Sequence, residues 1–240
     1  MTRLDHALTE AGLVESRQRA QALILAGRVR VAGETVRRAD REVRAGEQVE
    51  LLTGPAYVSR GGEKLAPALD RFGVSPEARV CADIGASTGG FTDVLLQRGA
   101  VRVYAVDVGR GLLHWRLRQD PRVILMERTN ARELAGFPEP VALVTIDVSF
   151  IGLAMVLPAV LRSAPGADVV ALFKPQFEVD RDEIGKGGVV RDETAVGRVL
   201  VEFRDWCAAN GYRVLAESPS ALPGAEGNQE LFFHLRPAAA

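Results

Sequence analysis

The amino-acid sequence predicts an α/β protein in which a mostly parallel, Rossmann-like sheet with helices on both faces follows a small α+β domain. A length of 240 residues accommodates one small and one medium-sized domain, and 47% apolar with 25% charged residues is ordinary globular usage. In the later part of the chain, nearly continuous apolar runs alternate with helix-like segments, as in a parallel sheet covered on both faces. The beginning of the chain shows only short helical and alternating runs.

The first 52 residues are predicted to form one domain with two helices and short strands. A helical apolar stripe begins at Leu4, and Ser16 caps a second helix that Gly27 ends. Alternating runs at 29–31 and 49–51 indicate strands separated by glycine turns.

This first domain also carries a local surplus of positive charge, although the net charge of the chain is only −1. Between Arg17 and Arg44 there are eight arginines and three acidic residues. Such a surface neutralises phosphates and binds nucleic acid without sequence preference. A solvated helix face is the alternative interpretation, and it is the usual one for a run of charges.

The stretch RLDHALTEAGLVESRQRAQALILAGRVRVAGE, residues 3–34, resembles the RNA-binding domain named after ribosomal small-subunit protein S-four. Its hallmark is matched by Ser16, Arg17 and Ala20 and then over 23–33. The resemblance implies that the arginine-bearing helix and the β-loop after it bind structured RNA. The expected RNA-binding residues are Arg3, Arg17, Arg19, Arg28 and Arg30.

Residues 53–58 form a predicted Pro/Gly linker, and residues 59–240 form the predicted second domain. Apolar runs bounded by turn residues mark its seven candidate strands. They are 80–84, 103–106, 123–126, 141–147, 168–173, 212–217 and 230–235. The last strand is expected to run antiparallel to the others.

A glycine-rich turn, DIGASTGGFT at 83–92, follows the first of these strands. A strand, such a turn and a helix start form a nucleotide-binding arrangement. Asp107 ends the next strand, where an acid can accept hydrogen bonds from a ribose. A nicotinamide cofactor would suit this outline, but the G-x-x-x-G-G spacing and the acidic Asp83 favour a cationic ligand without phosphate.

The same block resembles motif I of class I methyltransferases of the FtsJ type, which implies S-adenosylmethionine as the cofactor. Asn130 follows the third strand, where the adenine of such a cofactor commonly lies, but it is equally suited to cap a helix. The expected cofactor-binding residues are Ser59, Asp83, Gly85, Ser87, Thr88, Gly89, Gly90, Phe91, Asp107, Val108, Asn130 and Asp147.

Four ionisable residues are expected at the sheet edge where open α/β folds place their ligands. Asp147 and Lys174 end the fourth and fifth strands, Glu230 begins the last strand, and Lys64 lies on the helix leading into the domain. A lysine can be tuned to act as a base, unlike the arginines that otherwise dominate this chain. We expect Lys174 to be the base and Asp147 to orient it, with the other two in support.

These four residues resemble the Lys-Asp-Lys-Glu set of FtsJ-like ribose 2′-O-methyltransferases. The whole chain, including FKPQFE at 173–178 and GKGGVVRD at 185–192, resembles the TlyA family, also called hemolysin A-like proteins. The resemblance implies 2′-O-methylation of cytidines in small- or large-subunit ribosomal RNA, with ribosomal RNA or subunits as partner. The block 185–192 is either a mobile substrate loop or a simple connection.

Three alternatives stay open: a membrane-active cytolysin, a non-catalytic RNA-binding assembly factor and, more distantly, a nicotinamide dehydrogenase. The N-terminus lacks an apolar signal core, and no apolar run is long enough to span a bilayer. The two cysteines lie far apart without metal-ligand spacing. We therefore expect a cytoplasmic protein that uses neither a membrane nor a metal, and a monomer by default.

Overall fold

The computed structural model describes residues 2–25, 27–44, 46–52 and 56–238. The chain divides into two compact units between Ala56 and Tyr57. The first half of the predicted linker, residues 53–55, lies outside the described residues.

The first unit packs two helices against short antiparallel strands. Its elements are β1 (Thr2–Arg3), α1 (Leu4–Glu10), α2 (Arg17–Leu25), β2 (Val29–Val31), β3 (Glu34–Val36), β4 (Glu42–Val43) and β5 (Val49–Leu51). β2 lies between β3 and β5, and β1 pairs with β4. Ser16 Oγ accepts a hydrogen bond from the backbone N–H of Arg19 at 3.2 Å, which confirms the predicted cap. Leu4, Leu8 and Ile24 are fully buried in its core.

The second unit is built on the predicted seven-stranded sheet. Its strands are β6 (Val80–Ile84), β7 (Arg102–Asp107), β8 (Val123–Glu127), β9 (Leu143–Ile146), β10 (Asp168–Phe173), β11 (Tyr212–Pro219) and β12 (Leu231–Pro237). They lie in the order β11-β12-β10-β9-β6-β7-β8. The predicted antiparallel direction of the last strand is confirmed, because β12 pairs antiparallel with both of its neighbours. The bounds of β6 and β10 are as predicted, and the ends of the other strands differ from the prediction by at most two residues, as expected where ladder hydrogen bonds run out.

Helices cover both faces of this sheet. They are α3 (Arg60–Phe72), α4 (Gly90–Gln97), α5 (Trp115–Arg118), α6 (Leu157–Ser163) and α7 (Glu193–Ala209). Alternate strand residues serve two separate cores: Cys81 faces the core that contains α3 and α4, and Ala82 faces the core that contains α6 and α7. Because the central strands are buried on both faces, most of their residues are apolar. Among the described residues, no helix is both long enough and apolar enough to cross a membrane.

Candidate active site

Strand register brings the four predicted catalytic residues to one edge of the sheet. The carboxyl ends of β6 and β9 are in register, so Gly85 and Asp147, which follow them, lie side by side. The first residue of β12 lies opposite the last residue of β10, so Glu230 and Lys174 are also neighbours. Lys64 reaches the same edge from α3. The topology therefore collects residues that are up to 166 positions apart in the chain.

Two glycines of the loop after β6 are required by close packing. Gly85 has a φ of +85°, and a Cβ there would lie 2.3 Å from the backbone oxygen of Asp147. A Cβ on Gly90 would lie 2.3 Å from Ser59 Oγ and 2.8 Å from the backbone nitrogen of Gly62. Any side chain at either position would force the loop away from β9 or from the start of α3.

Two adjoining cavities form a cleft over this loop and share Gly85, Ser87 and Asp147. One reaches the start of α3, and the other follows the ends of β7 and β8. The predicted cofactor-binding residues that line the cleft are Ser59, Gly85, Ser87, Thr88, Gly90, Phe91, Asp107, Val108, Asn130 and Asp147. Asp83 and Gly89 lie outside both cavities.

Asp107 and Asn130 each hold backbone groups at the edge of the cleft. Asp107 accepts hydrogen bonds from the N–H groups of Ser87 and Gly109, each at 2.7 Å. A carboxylate oxygen has a second lone pair, so Asp107 retains capacity for ribose hydroxyls. Asn130 caps a short 3₁₀ turn by accepting from the N–H of Arg132 at 3.1 Å, and it also lines the cleft.

Asp83, expected at the cofactor, is instead enclosed beneath the loop. Its carboxylate accepts hydrogen bonds from Thr92 Oγ1 at 2.6 Å and Thr145 Oγ1 at 3.2 Å, and it has no exposed surface. Burial raises the pKa of Asp83 to about 7, and the nearby Asp147 carboxylate acts in the same direction. Because the side chain points into the protein interior, Asp83 supports the loop from below.

The four predicted catalytic residues, called the tetrad from here on, form two ion pairs. Lys174 Nζ lies 2.6 Å from Asp147 Oδ1, and Lys64 Nζ lies 2.6 Å from Glu230 Oε2. Only 11% of each lysine side chain is exposed. The contact between Lys174 and Asp147 is close but is not aligned as a hydrogen bond, since Asp147 Oδ1 accepts none from the described residues. Lys174 Nζ donates instead to Ser149 Oγ at 3.1 Å.

A third cavity, of about 330 Å³, begins at the tetrad and is lined by Lys64, Lys174 and Glu230. Because Lys64 also lines the cleft, the two spaces meet at the tetrad. Phe150 and Phe177 line this third cavity with ring centroids 5.3 Å apart, and Phe150 is 91% exposed. Neither aromatic residue is marked as a site residue by a sequence motif, although both closely follow the ends of apolar strands.

In the first unit, the buried carboxylate of Asp5 holds two of the predicted RNA-binding arginines. It accepts from Arg3 Nε at 3.1 Å and from Arg17 Nε at 2.9 Å, and these guanidinium groups hold its pKa well below the usual range. Both arginines stay about half exposed, at 44% and 50%. The other three predicted residues form no ion pair within the described part of the chain: Arg19, Arg28 and Arg30.

The strand order, the glycine-lined cleft and the tetrad together define a Rossmann-like methyltransferase. The FtsJ-like methyltransferase family matches residues 57–237, and the S4 domain matches residues 2–49. The chain therefore belongs to the FtsJ-like methyltransferase family. S-adenosylmethionine is the cofactor of this fold and family, as the sequence predicts.

Similar proteins extend over nearly the whole chain. The 16S/23S rRNA (cytidine-2′-O)-methyltransferase TlyA of Mycobacterium tuberculosis is 45% identical over 98% of this chain and 89% of its own length. Hemolysin A of Brachyspira hyodysenteriae is 39% identical over 97% of this chain and 98% of its own length. The solved structure of a putative hemolysin from Streptococcus thermophilus has a TM-score of 0.75 and 41% identity, covering 100% of this chain and 89% of that one.

Proposed function

We propose that this protein methylates the ribose 2′-hydroxyl of cytidines in ribosomal RNA of the small subunit, the large subunit or both. The observation that carries the proposal is the position of the tetrad, where the cofactor cleft meets the third cavity. The S4 domain and the name of the Mycobacterium tuberculosis relative support ribosomal RNA as the substrate. Such a substrate also favours action in the cytoplasm.

The residues of the cleft suit S-adenosylmethionine. Gly85 and Gly90 line the cleft and let its loop pack closely against Asp147 and against the start of α3, which fixes the shape of the cleft. Asp107 has capacity for ribose hydroxyls, and apolar groups of Val108 and Ile151 line the part of the cleft where an adenine would lie. When bound, this cofactor supplies an electrophilic methyl group.

Lys174 is the proposed general base. Its Nζ would accept the proton of the 2′-hydroxyl and pass it to water, while the bound cofactor would supply the methyl group to the ribose oxygen and leave as a neutral thioether. Asp147 and Ser149 hold the amine in place. Glu230 holds the cation of Lys64 beside the same space, where it stabilises negative charge that develops on the oxygen. Alignment of hydroxyl and methyl group is expected to supply much of the rate gain.

The first unit is the proposed docking surface for ribosomal RNA. Arg19, Arg28 and Arg30 have charges that no described carboxylate neutralises, so they are available to phosphates. Arg3 and Arg17 are oriented by Asp5 but still expose their outer guanidinium groups. The proposed binding is therefore electrostatic and salt-dependent.

A ribose-methylation map of ribosomal RNA, made with and without the protein, tests the proposal. Wild-type protein is expected to protect specific cytidine positions from alkaline cleavage, because a methylated 2′-oxygen cannot attack the neighbouring phosphate. Lys174→Ala is expected to abolish this protection and leave the affinity for S-adenosylmethionine nearly unchanged in isothermal titration. Arg162→Ala is the matched control, because this exposed cation on α6 lies outside the cleft and the third cavity.

Full activity of Lys174→Ala would remove it as the base. The hemolysin names of two relatives make membrane activity the second candidate. Leakage of dye-loaded liposomes by preparations that leave ribosomal RNA unmethylated would support that candidate and contradict the proposed methyltransferase.

A further inference from the structure

The third cavity is the space in which the target nucleoside must lie if the proposed function holds. The 2′-hydroxyl has to reach Lys174, and the cleft on the other side of the tetrad is taken by the cofactor. The base attached to that ribose then extends along the remaining walls of the cavity. Those walls include Phe150, Phe177 and Gln176.

Gln176 has an unusual hydrogen-bonding state for a buried side chain. It is only 7% exposed, and its Oε1 is buried without a hydrogen-bond donor among the described residues. Within the described part of the chain, one other buried side-chain atom shares this state, and it is Oδ1 of Asp147 in the tetrad. Buried polar groups are nearly always paired, so an unpaired amide oxygen in a side chain that lines a cavity indicates a ligand that supplies the donor.

The backbone ties this amide closely to the proposed base. Lys174 is followed by a 3₁₀ turn in which the N–H of Phe177 donates to the carbonyl oxygen of Lys174 at 2.9 Å. Pro175 has a restricted φ and removes freedom between the base and Gln176. Gln176 lies two residues from Lys174 and is rigidly connected to it. Its side chain can therefore contact the nucleobase while Lys174 contacts the ribose.

We propose that Gln176 reads the target base, with Oε1 accepting a hydrogen bond from the exocyclic amino group of cytosine. The inference rests on the proposed function and adds a specificity determinant to it. No described residue hydrogen-bonds this amide, and the terminal torsion of glutamine is soft, so the amide can turn about that torsion to present its oxygen to the cavity. Cytosine offers an amino donor beside a ring acceptor, whereas uracil offers a carbonyl acceptor beside a ring N–H. An amide that turns its oxygen toward the base accepts from the amino group of cytosine, whereas the same oxygen faces another acceptor at the carbonyl of uracil.

The experiment uses the full-length protein and two ribosomal RNA substrates that carry cytidine or uridine at the mapped target position. Wild-type protein is expected to prefer cytidine in kcat/KM. Gln176→Leu is expected to lower kcat/KM on cytidine by about 10- to 100-fold and to bring the ratio between the two substrates close to one. Affinity for S-adenosylmethionine should be unchanged. Gln176→Glu keeps an acceptor oxygen, and it should keep the preference for cytidine.

Gln119→Leu is the matched control, since this glutamine is exposed and lies outside all the cavities described above. It should retain wild-type kcat/KM on both substrates. If Gln176→Leu keeps the wild-type ratio of kcat/KM between the cytidine and uridine substrates, the inference is overturned. An equal loss of kcat/KM on both substrates gives this result and marks a purely structural role. If Gln176→Leu does not fold, loss of cytidine preference in Gln176→Glu would overturn it. A wild-type protein that methylates neither RNA would contradict the proposed function itself.

Discussion

Glu230→Gln removes the negative charge from a deeply buried ion pair and leaves its partner unpaired. The exposed fractions of the Lys64 and Glu230 side chains are 11% and 2%, and their charged atoms lie 2.6 Å apart. Breaking a buried pair by removing one partner costs about 3–5 kcal/mol, because an uncompensated charge stays inside. We expect a loss of about 3 kcal/mol here, since Lys64 keeps some contact with water.

The matched control is Glu202→Gln, the same substitution in an exposed pair. Glu202 pairs with Arg198 across one helical turn, and the side chains are 58% and 41% exposed. Such pairs contribute about 0.5 kcal/mol or less. The two variants therefore differ in the burial of the pair and in what remains of it: Arg198 keeps Glu183 as a partner at 2.7 Å, whereas Lys64 forms no second ion pair among the described residues.

Urea unfolding followed by tryptophan fluorescence measures both variants. The two tryptophans, Trp115 and Trp206, both lie in the second unit and report its unfolding. With a slope of about 2–3 kcal/mol per molar urea, Glu230→Gln should lower the midpoint by about 1–1.5 M and Glu202→Gln by about 0.2 M. The double variant Lys64→Met, Glu230→Gln should regain part of the stability without regaining methyl transfer.

Equal midpoint shifts in Glu230→Gln and Glu202→Gln would refute this reasoning, because burial would then have no measurable effect. The reasoning would also be refuted if the double variant lost as much free energy of unfolding as the two single variants lose together. That result would mean that Lys64 and Glu230 contribute through packing rather than through their mutual charge.

Three further predictions concern the cofactor loop, a buried acid and the RNA surface. Gly85→Ala should weaken S-adenosylmethionine binding at least 10-fold in isothermal titration, because its Cβ would lie 2.3 Å from a backbone oxygen. Gly197→Ala is the control and should leave this binding unchanged, because a Cβ there has no neighbour within 4 Å. Burial raises the pKa of Glu178 from 4.5 to about 7, so ionising this carboxyl costs free energy in the folded state. The free energy of unfolding should therefore fall as pH rises from 4.5 through 7, and Glu178→Gln should reduce that slope in urea unfolding. Reversing Arg28 and Arg30 to glutamate should weaken ribosomal RNA binding and flatten its dependence on salt in filter-binding assays, and unchanged values would argue against this docking surface.

Much of this protein is determined by local features of its sequence. Apolar runs specify where the strands lie. In a parallel sheet, the residues that follow those runs lie together at one edge. Asp147 and Lys174 could therefore be placed before any contact was known, and the glycine pattern around Gly85 indicated the cleft. Ser16 and Gly27 marked the bounds of the second helix for the same reason, since caps and turns depend on neighbouring residues.

Only the tertiary structure decided which side chains face the cleft. Asp83 is adjacent to the loop in sequence, yet it is closed off by Thr92 and Thr145. Gln176 and Phe150 follow strand ends, yet nothing in their local sequence shows that one has an unpaired amide oxygen and the other an exposed ring. The direction and partners of a side chain depend on segments that are distant in the chain and meet only after packing, so no local pattern records them.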